Sequence, residues 1–321
     1  MIVMDSNRLE SNGFNHISQV YDDSVNYIRK RKDNEIIPLK TSFDKLNNIL
    51  GGGFQSPTTY VIGGRPGVGK SAVTNRILFD IAEQNDISKY VFLYWNWEMP
   101  NYRQIVREVS GRLNLTVNQI LSANEKLSLE HYEKIKELRS NFDMLPLYMV
   151  ERSFNAEQIF KINEAFTLDN PEYTVVNIFD HSRLVGKKSH VEKEEQKIFN
   201  LLESCVEMSR TMGTINILLS QLNRNIESQE RISNPIPRLS DFFGADAVSQ
   251  FANVAIILQR PEMYDLGTYL GESCQDLLAM HVLKNRDGDV SWIPFNHDFA
   301  RNHIEQRYSN NQEPNQSIYG L

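Results

Sequence analysis

The sequence predicts an α/β fold, a mostly parallel sheet covered by helices on both faces and finished by an antiparallel hairpin. Three observations carry that expectation. Short apolar runs alternate with segments of helical spacing, as strands buried on both faces require. A glycine-rich turn follows the first run and leads straight into a helix. "KNRDGD" precedes the final run, "VSWIPF", and its Asp-Gly step favours a tight hairpin turn.

Taken in chain order, residues 1–36 read as an extension. Within it Phe14, Ile17, Val20, Tyr21, Val25 and Ile28 recur at helical spacing. That helix closes on "RKRK", Arg29 to Lys32, cations that complement a helix carboxyl terminus. So short a helix needs a partner surface for its apolar stripe. Residues 37–304 form the main domain. Its runs 58–63, 89–95, 174–179, 214–220, 253–258 and 277–283 read as buried strands. Segments 71–84, 101–113, 155–166 and 192–212 read as helices. In the last of these Ile198, Leu201, Leu202, Cys205, Met208 and Met212 form one stripe, and Gly213 suits the carboxyl cap. Residues 305–321 read as a polar tail.

Composition narrows the function. A net charge of -7 over 321 residues argues against a general coater of nucleic acid but allows a local basic channel. Cys205 and Cys274 lie in apolar segments, the pattern of reduced thiols in a cytoplasmic setting. No apolar run approaches the ~20 residues that cross a bilayer, so no membrane partner is expected.

Ligands of parallel α/β sheets bind beyond the carboxyl ends of the strands. "GGRPGVGKS", Gly63 to Ser71, follows the first strand and contains G-x-x-x-x-G-K-S. In that pattern the backbone of Gly64, Arg65, Pro66, Gly67, Val68 and Gly69 cradles a triphosphate, with Ala72 in the opening helix turn. Lys70 would reach the β- and γ-phosphates, and the Ser71 hydroxyl would ligate Mg²⁺. A chance Gly-rich turn would not come with both the preceding strand and the amphipathic helix that follows. Glu98, ending the second run, suits either a helix cap beside Pro100 or a carboxylate that orients or deprotonates an attacking water. Asp180, ending the third, is either a turn residue or the second acid of the Mg²⁺ site. Gln221, ending the fourth, is a polar loop residue or an amide that contacts a γ-phosphate and reports its loss. Their convergence on one sheet edge predicts a P-loop nucleoside triphosphatase using ATP, or another nucleoside triphosphate, with Mg²⁺. Lys284 and Arg286 flank Asn285 where the 277–283 run gives way to its turn. They read either as a hairpin edge paired with Asp287 or as cations meant for an anion from elsewhere.

The motifs "GGRPGVGKS", "WNWEM", "VVNIFDHSRLV", "LLSQLNR", "RLSDFFGADAVSQFANVAIIL" and "LKNRDGDVSWIPF" resemble, in order and spacing, the RecA-like motor domain of DnaB-type replicative helicases. The resemblance runs from about Leu39 to Ile304, and only the phosphate loop is generic. It implies a homo-oligomer, a six-membered ring around single-stranded DNA that moves 5′ to 3′ and unwinds duplex at forks, with primase and a helicase loader as further partners. It implies that Lys284 and Arg286 act in the nucleotide site of the adjacent subunit, where such a finger is worth ~10³–10⁵ in rate. It also implies that segment 14–32 is a linker helix packed on a neighbour. The amino-terminal helical docking domain of cellular members is not found, so the expectation is that another protein supplies its role, or that the chain is a shortened, phage-type form. The loop "LSDFFGADAVSQ", which contacts the DNA backbone in the family, lacks the Arg often found there. Backbone N–H groups of Phe243, Gly244 and Ala245 would take its place, with Phe242 or Phe243 stacking on a base or packing in the core. Arg224, Arg231, Arg238, Lys187 and Lys188 are the other channel candidates. Two further functions share this core: a filament-forming recombinase, and a regulatory or loader ATPase that single-stranded DNA does not stimulate.

Overall fold

The computed structural model describes residues 14–124, 126–186, 192–228, 231 and 235–308, without the side chains of Arg224 and Glu227. Met1–Pro38 and Leu39–Leu321 are separate compact units.

In the first unit, helix α1 spans Ile17–Lys32. His16 caps it by accepting from the Ser18 N–H, and all four residues of its last turn are Arg or Lys. Arg29 pairs with Asp33 and Glu35, so the basic run is partly self-neutralised beside the negative end of the dipole. No residue of α1 is buried, and the stripe predicted from its spacing is exposed from Phe14 to Ile28.

The second unit is built on a nine-stranded sheet of order β11-β10-β9-β6-β1-β5-β4-β2-β3. Its parallel part comprises β1 (Thr58–Gly64), β2 (Tyr90–Asn96), β3 (Leu147–Val150), β4 (Thr174–Asp180), β5 (Ile215–Gln221) and β6 (Val254–Gln259). β9 (Leu277–Asn285), β10 (Ser291–Asp298) and β11 (His303–Gln306) add an antiparallel edge, with the Asp287-Gly288 turn joining β9 to β10. The short pair β7 (Thr268–Tyr269) and β8 (Glu272–Ser273) lies outside the large sheet.

Both faces of the sheet are buried, which is why its strands read as continuous apolar runs. On β6, Val254, Ile256 and Leu258 enter one core while Ala255 and Ile257 enter the other. The first core is shared with α2 (Asp44–Ile49) and α3 (Lys70–Gln84). The second is shared with α8 (Ala156–Asp169), α9 (Glu194–Met212) and α10 (Ala245–Phe251). Gly213, with φ +68°, ends α9 as its spacing predicts. Helix α4 spans Asn101–Leu113, followed by the short helices α5 (Val117–Leu121), α6 (Leu129–Glu137) and α7 (Arg139–Asp143). β3 is absent from the sequence reading because its four residues carry no clear alternation and sit at an edge. β11 draws Glu305 and Gln306, assigned from sequence to the tail, into the sheet.

Candidate nucleotide site

The loop between β1 and α3 is shaped by two glycines that adopt left-handed backbone, Gly67 at φ +77° and Gly69 at φ +101°. A Cβ on Gly67 would meet only open space, whereas one on Gly69 would strike the Phe299 ring. Gly64 is closed in by Val68. Lys70 is buried, and its Nζ donates to the carbonyls of Gly64 at 2.8 Å and Arg65 at 3.0 Å. Burial holds its pKa below the usual lysine value, while Glu98 and Asp180 pull it the other way. The loop lines a cleft of about 280 Å³ together with Ser71, Glu98 and Gln221. A larger hollow of about 640 Å³ lies at the amino ends of β2 and β3 and contains none of these groups.

Asp180 ends β4 beneath this cleft and is fully buried. Burial pushes its carboxyl up to about 6, countered by the Ser71 hydroxyl and the Tyr94 phenol. Its Oδ1 is buried with no hydrogen-bond partner, which in a folded interior calls for a missing partner. An unsatisfied carboxylate oxygen next to a P-loop serine is the oxygen-donor environment that suits Mg²⁺. The residues present therefore fit the metal: Ser71 would bind it and Asp180 would hold it. No group of three or more acidic, His or Cys side chains among the described residues is arranged for a metal ion, so the fit rests on one carboxylate and one hydroxyl.

Glu98 follows β2 on the rim, its side chain 45% exposed, with His181 Nε2 3.8 Å from its Oε2. His181 Nε2 is also 3.2 Å from the Gln221 Nε2. Gln221 Oε1 accepts from Arg183 at 2.9 Å, and Arg183 pairs with Glu194 and lies 4.5 Å over the Phe243 ring. A continuous polar path thus leads from Glu98 to the 239–245 loop. The sequence reading missed His181 and Arg183, although both stand in the "DHSR" that ends β4. It also missed a wall of the cleft made by Arg260 and Phe299. The Arg260 guanidinium sits 5.3 Å over the Phe299 ring and donates to the Gly67 carbonyl at 3.3 Å. No motif flags that pair, because the two residues lie on different strands' ends.

Lys284 and Arg286 are placed elsewhere. Asn285 pairs with Val254, which pairs with Tyr60, four residues before Gly64 on β1. At ~3.3 Å per residue they lie roughly 13 Å or more below the phosphate loop, at the opposite end of the sheet. Lys284 Nζ donates to the Ser249 carbonyl at 2.7 Å and Arg286 to the Gln250 carbonyl at 2.8 Å, both in the last turn of α10. These bonds, rather than Asp287, engage the two cations.

Several channel candidates are corrected. Phe242 is buried in the core against Gly63, so it cannot stack on a base. The Phe243 N–H donates to the Gln221 carbonyl at 3.0 Å and is not available to a phosphate. Gly244, in left-handed backbone, and Ala245 begin α10. Arg231 is tied to Asp241 at 2.6 Å inside the loop, while Arg238 is exposed. Lys187 and Lys188 lie outside the described residues, as does the Arg224 side chain.

A mostly parallel sheet with a glycine-shaped loop, a buried lysine and a buried, unpartnered carboxylate oxygen at its carboxyl edge has the architecture of a P-loop domain of RecA-like form. Residues 38–306 match the family described as DnaB-like helicase C terminal domain, and the chain belongs to it. Among the relatives, the replicative DNA helicase DnaB of Geobacillus stearothermophilus is 22% identical over 294 residues, covering 90% of this chain and 61% of that protein. The replicative DNA helicase DnaB of Mycoplasma genitalium is 26% identical over 290 residues, covering 86% and 59%. The chain thus spans about three fifths of such relatives. Among solved structures, an ATPase domain determined on its own superposes with a TM-score of 0.77 at 18% identity, covering 89% of this chain and 98% of that domain. A DnaB-like replicative helicase studied with primase gives 0.74 at 18% identity, covering 88% and 66%. No helix among the described residues is long and apolar enough to cross a membrane.

Proposed function

We propose that this chain is the motor of an ATP-driven, ring-forming DNA helicase that translocates on single-stranded DNA and unwinds duplex at forks. The observation that carries the reading is the division of one chemistry between two ends of the sheet. The carboxyl end holds Lys70, Ser71, Glu98, Asp180 and Gln221, and the far end holds Lys284 and Arg286. A protomer cannot bring its own Arg286 to its own phosphate loop, whereas a neighbour in a head-to-tail ring can.

In that arrangement the amides of 64–72 and Lys70 bind and orient the β- and γ-phosphates. Bound between Ser71 and Asp180, Mg²⁺ would act as a Lewis acid on the phosphoryl oxygens. Glu98, on the open rim, orients and deprotonates water for in-line attack. Arg260, stacked on Phe299 and paired with Glu262, supplies a planar guanidinium wall suited to a nucleobase. Arg286 of the adjacent copy meets charge developing on the transferred phosphoryl. Gln221 touches the γ-phosphate position and, through Arg183 and its own carbonyl, the 239–245 loop, so loss of phosphate is passed to the segment that would face DNA. Arg238, Phe243, Gly244 and Ala245 are the remaining contacts there. Movement 5′ to 3′, primase and a loader as partners follow from the family likeness.

The test is unwinding of forked DNA with ATP and Mg²⁺, run with 5′ and 3′ tails. Wild type should unwind and Lys70→Ala should not. One observation favours a regulatory ATPase instead: the loop spends Arg231 and Phe242 internally. Hydrolysis that single-stranded DNA fails to stimulate would select that reading.

A further inference from the structure

Asp180 is not held by the phosphate loop alone. Two buried side chains donate to it, Gln104 on α4 and Tyr94 on β2, and a third, Asn75 on α3, holds Gln104. Asn75 Nδ2 donates to Gln104 Oε1 at 2.7 Å. That bond fixes the Gln104 amide, because its carbonyl is engaged and its NH₂ must face the other way. The NH₂ donates to Asp180 Oδ2 at 3.2 Å and to the Tyr94 oxygen at 3.3 Å. The Tyr94 proton is then left for Asp180 Oδ2, at 3.2 Å. Burial and the adjacent carboxylate hold the Tyr94 phenol well above its ordinary pKa, so it stays a donor.

We propose that Asn75, Gln104 and Tyr94 are positioning residues that saturate Asp180 Oδ2 with donors and so present the unpartnered Oδ1 to a divalent cation. The inference rests on the metal-dependent reading above. Its logic is directional. Every hydrogen bond in the relay runs toward the carboxylate, offsetting the cost of a buried charge on one oxygen only. The relay also sets a distance. Asn75 stands four residues after Ser71, on the same face of α3. The helix that carries the serine therefore also grips the aspartate, through Gln104. Gln104 lies in the helix that follows Glu98, so the donor that braces the metal's acid stands on the same segment as the acid that would activate water. None of the three is marked by a motif, since polar residues in apolar surroundings look alike until their partners are known.

The test uses the full chain and Mn²⁺, titrated by electron paramagnetic resonance with a non-hydrolysable ATP analogue. Tyr94→Phe removes the hydroxyl, donor to Asp180 and acceptor from Gln104, at little change in volume, and Gln104→Leu removes both N–H donors at similar size. Each should raise the Mn²⁺ midpoint about 10- to 100-fold. Gln104→Glu, which turns a carboxylate toward Asp180, should raise it further. Affinity for the analogue in chelator should stay at the wild-type value for Tyr94→Phe and Gln104→Leu, and excess Mg²⁺ should restore their hydrolysis. A Tyr94→Phe protein that folds and titrates like wild type overturns the proposal, as does equal loss of metal-free nucleotide binding. If wild type itself takes up no Mn²⁺ with the analogue, the metal-dependent reading fails first, and the brace with it.

Discussion

The two ends of the central sheet both present cations, but hold them in opposite ways. At the carboxyl end Lys70 is buried and bonded to the loop it belongs to. At the far end Lys284 is half-buried and Arg286 exposed, each resting on a carbonyl at the end of α10. Cations at a helix carboxyl terminus gain ~0.3–1 kcal/mol when surface-exposed. A charge-assisted bond to phosphate is stronger, so these side chains can leave their rest position when phosphate arrives. In the proposed ring one end binds nucleotide on its own, whereas the other is a stored donor.

Neutralising each end separately puts that contrast under the greatest strain. Lys70→Ala and Arg286→Ala should both lower hydrolysis, the latter by ~10³–10⁵. Only Lys70→Ala should also abolish nucleotide binding by an isolated protomer. Equal losses of binding would erase the distinction. Next in size, Glu98→Gln should cost ~10²–10⁴ in turnover with nucleotide affinity retained, read by single-turnover hydrolysis. A smaller loss would remove Glu98 from the water-activating role; it does not cap α4 either, whose Asn101 N–H donates to Glu151 instead.

A stability contrast separates neighbours in the loop. Phe242→Ala should destabilise by about 3–5 kcal/mol in a urea titration, because Phe242 fills the space over Gly63. Phe243→Ala should cost far less and instead weaken DNA stimulation, since Phe243 is half-buried under Arg183. The smallest effect concerns acid. His281 sits on β9, three residues before Lys284, fully buried, with its pKa pushed down to about 3. Its folded value lies below the ordinary 6.5, so the stability it lends is present above 6.5 and drains as pH falls toward 3. Each unit in that window removes up to about 1.4 kcal/mol. His281→Gln should flatten the loss of urea midpoint between neutral and mildly acidic pH.

Much of this was legible in the sequence because it is local. A phosphate loop is contiguous, and buried parallel strands announce themselves as unbroken apolar runs ending in Glu98, Asp180 and Gln221. Helix 101–113 is read to the residue because Pro100 and Asn114 punctuate it. What stayed hidden depends on pairing across distance. Phe242 and Phe243 are adjacent and identical in type, and only their loop's seating tells core from rim. Arg231 reads as a channel cation until Asp241 is found beside it. His181, Arg183, Gln104 and Arg260 gain meaning only from partners dozens of residues away or from a neighbouring strand end.

If the nucleotide site is completed by the far end of another copy, two crippled proteins should repair each other. The decisive assay mixes Lys70→Ala with Arg286→Ala protein, each inactive alone. Assemblies in which an intact loop meets an intact Arg286 should recover a fraction of wild-type hydrolysis that peaks near equal proportions. Intact, exchanging rings with no recovery at any ratio would contradict it.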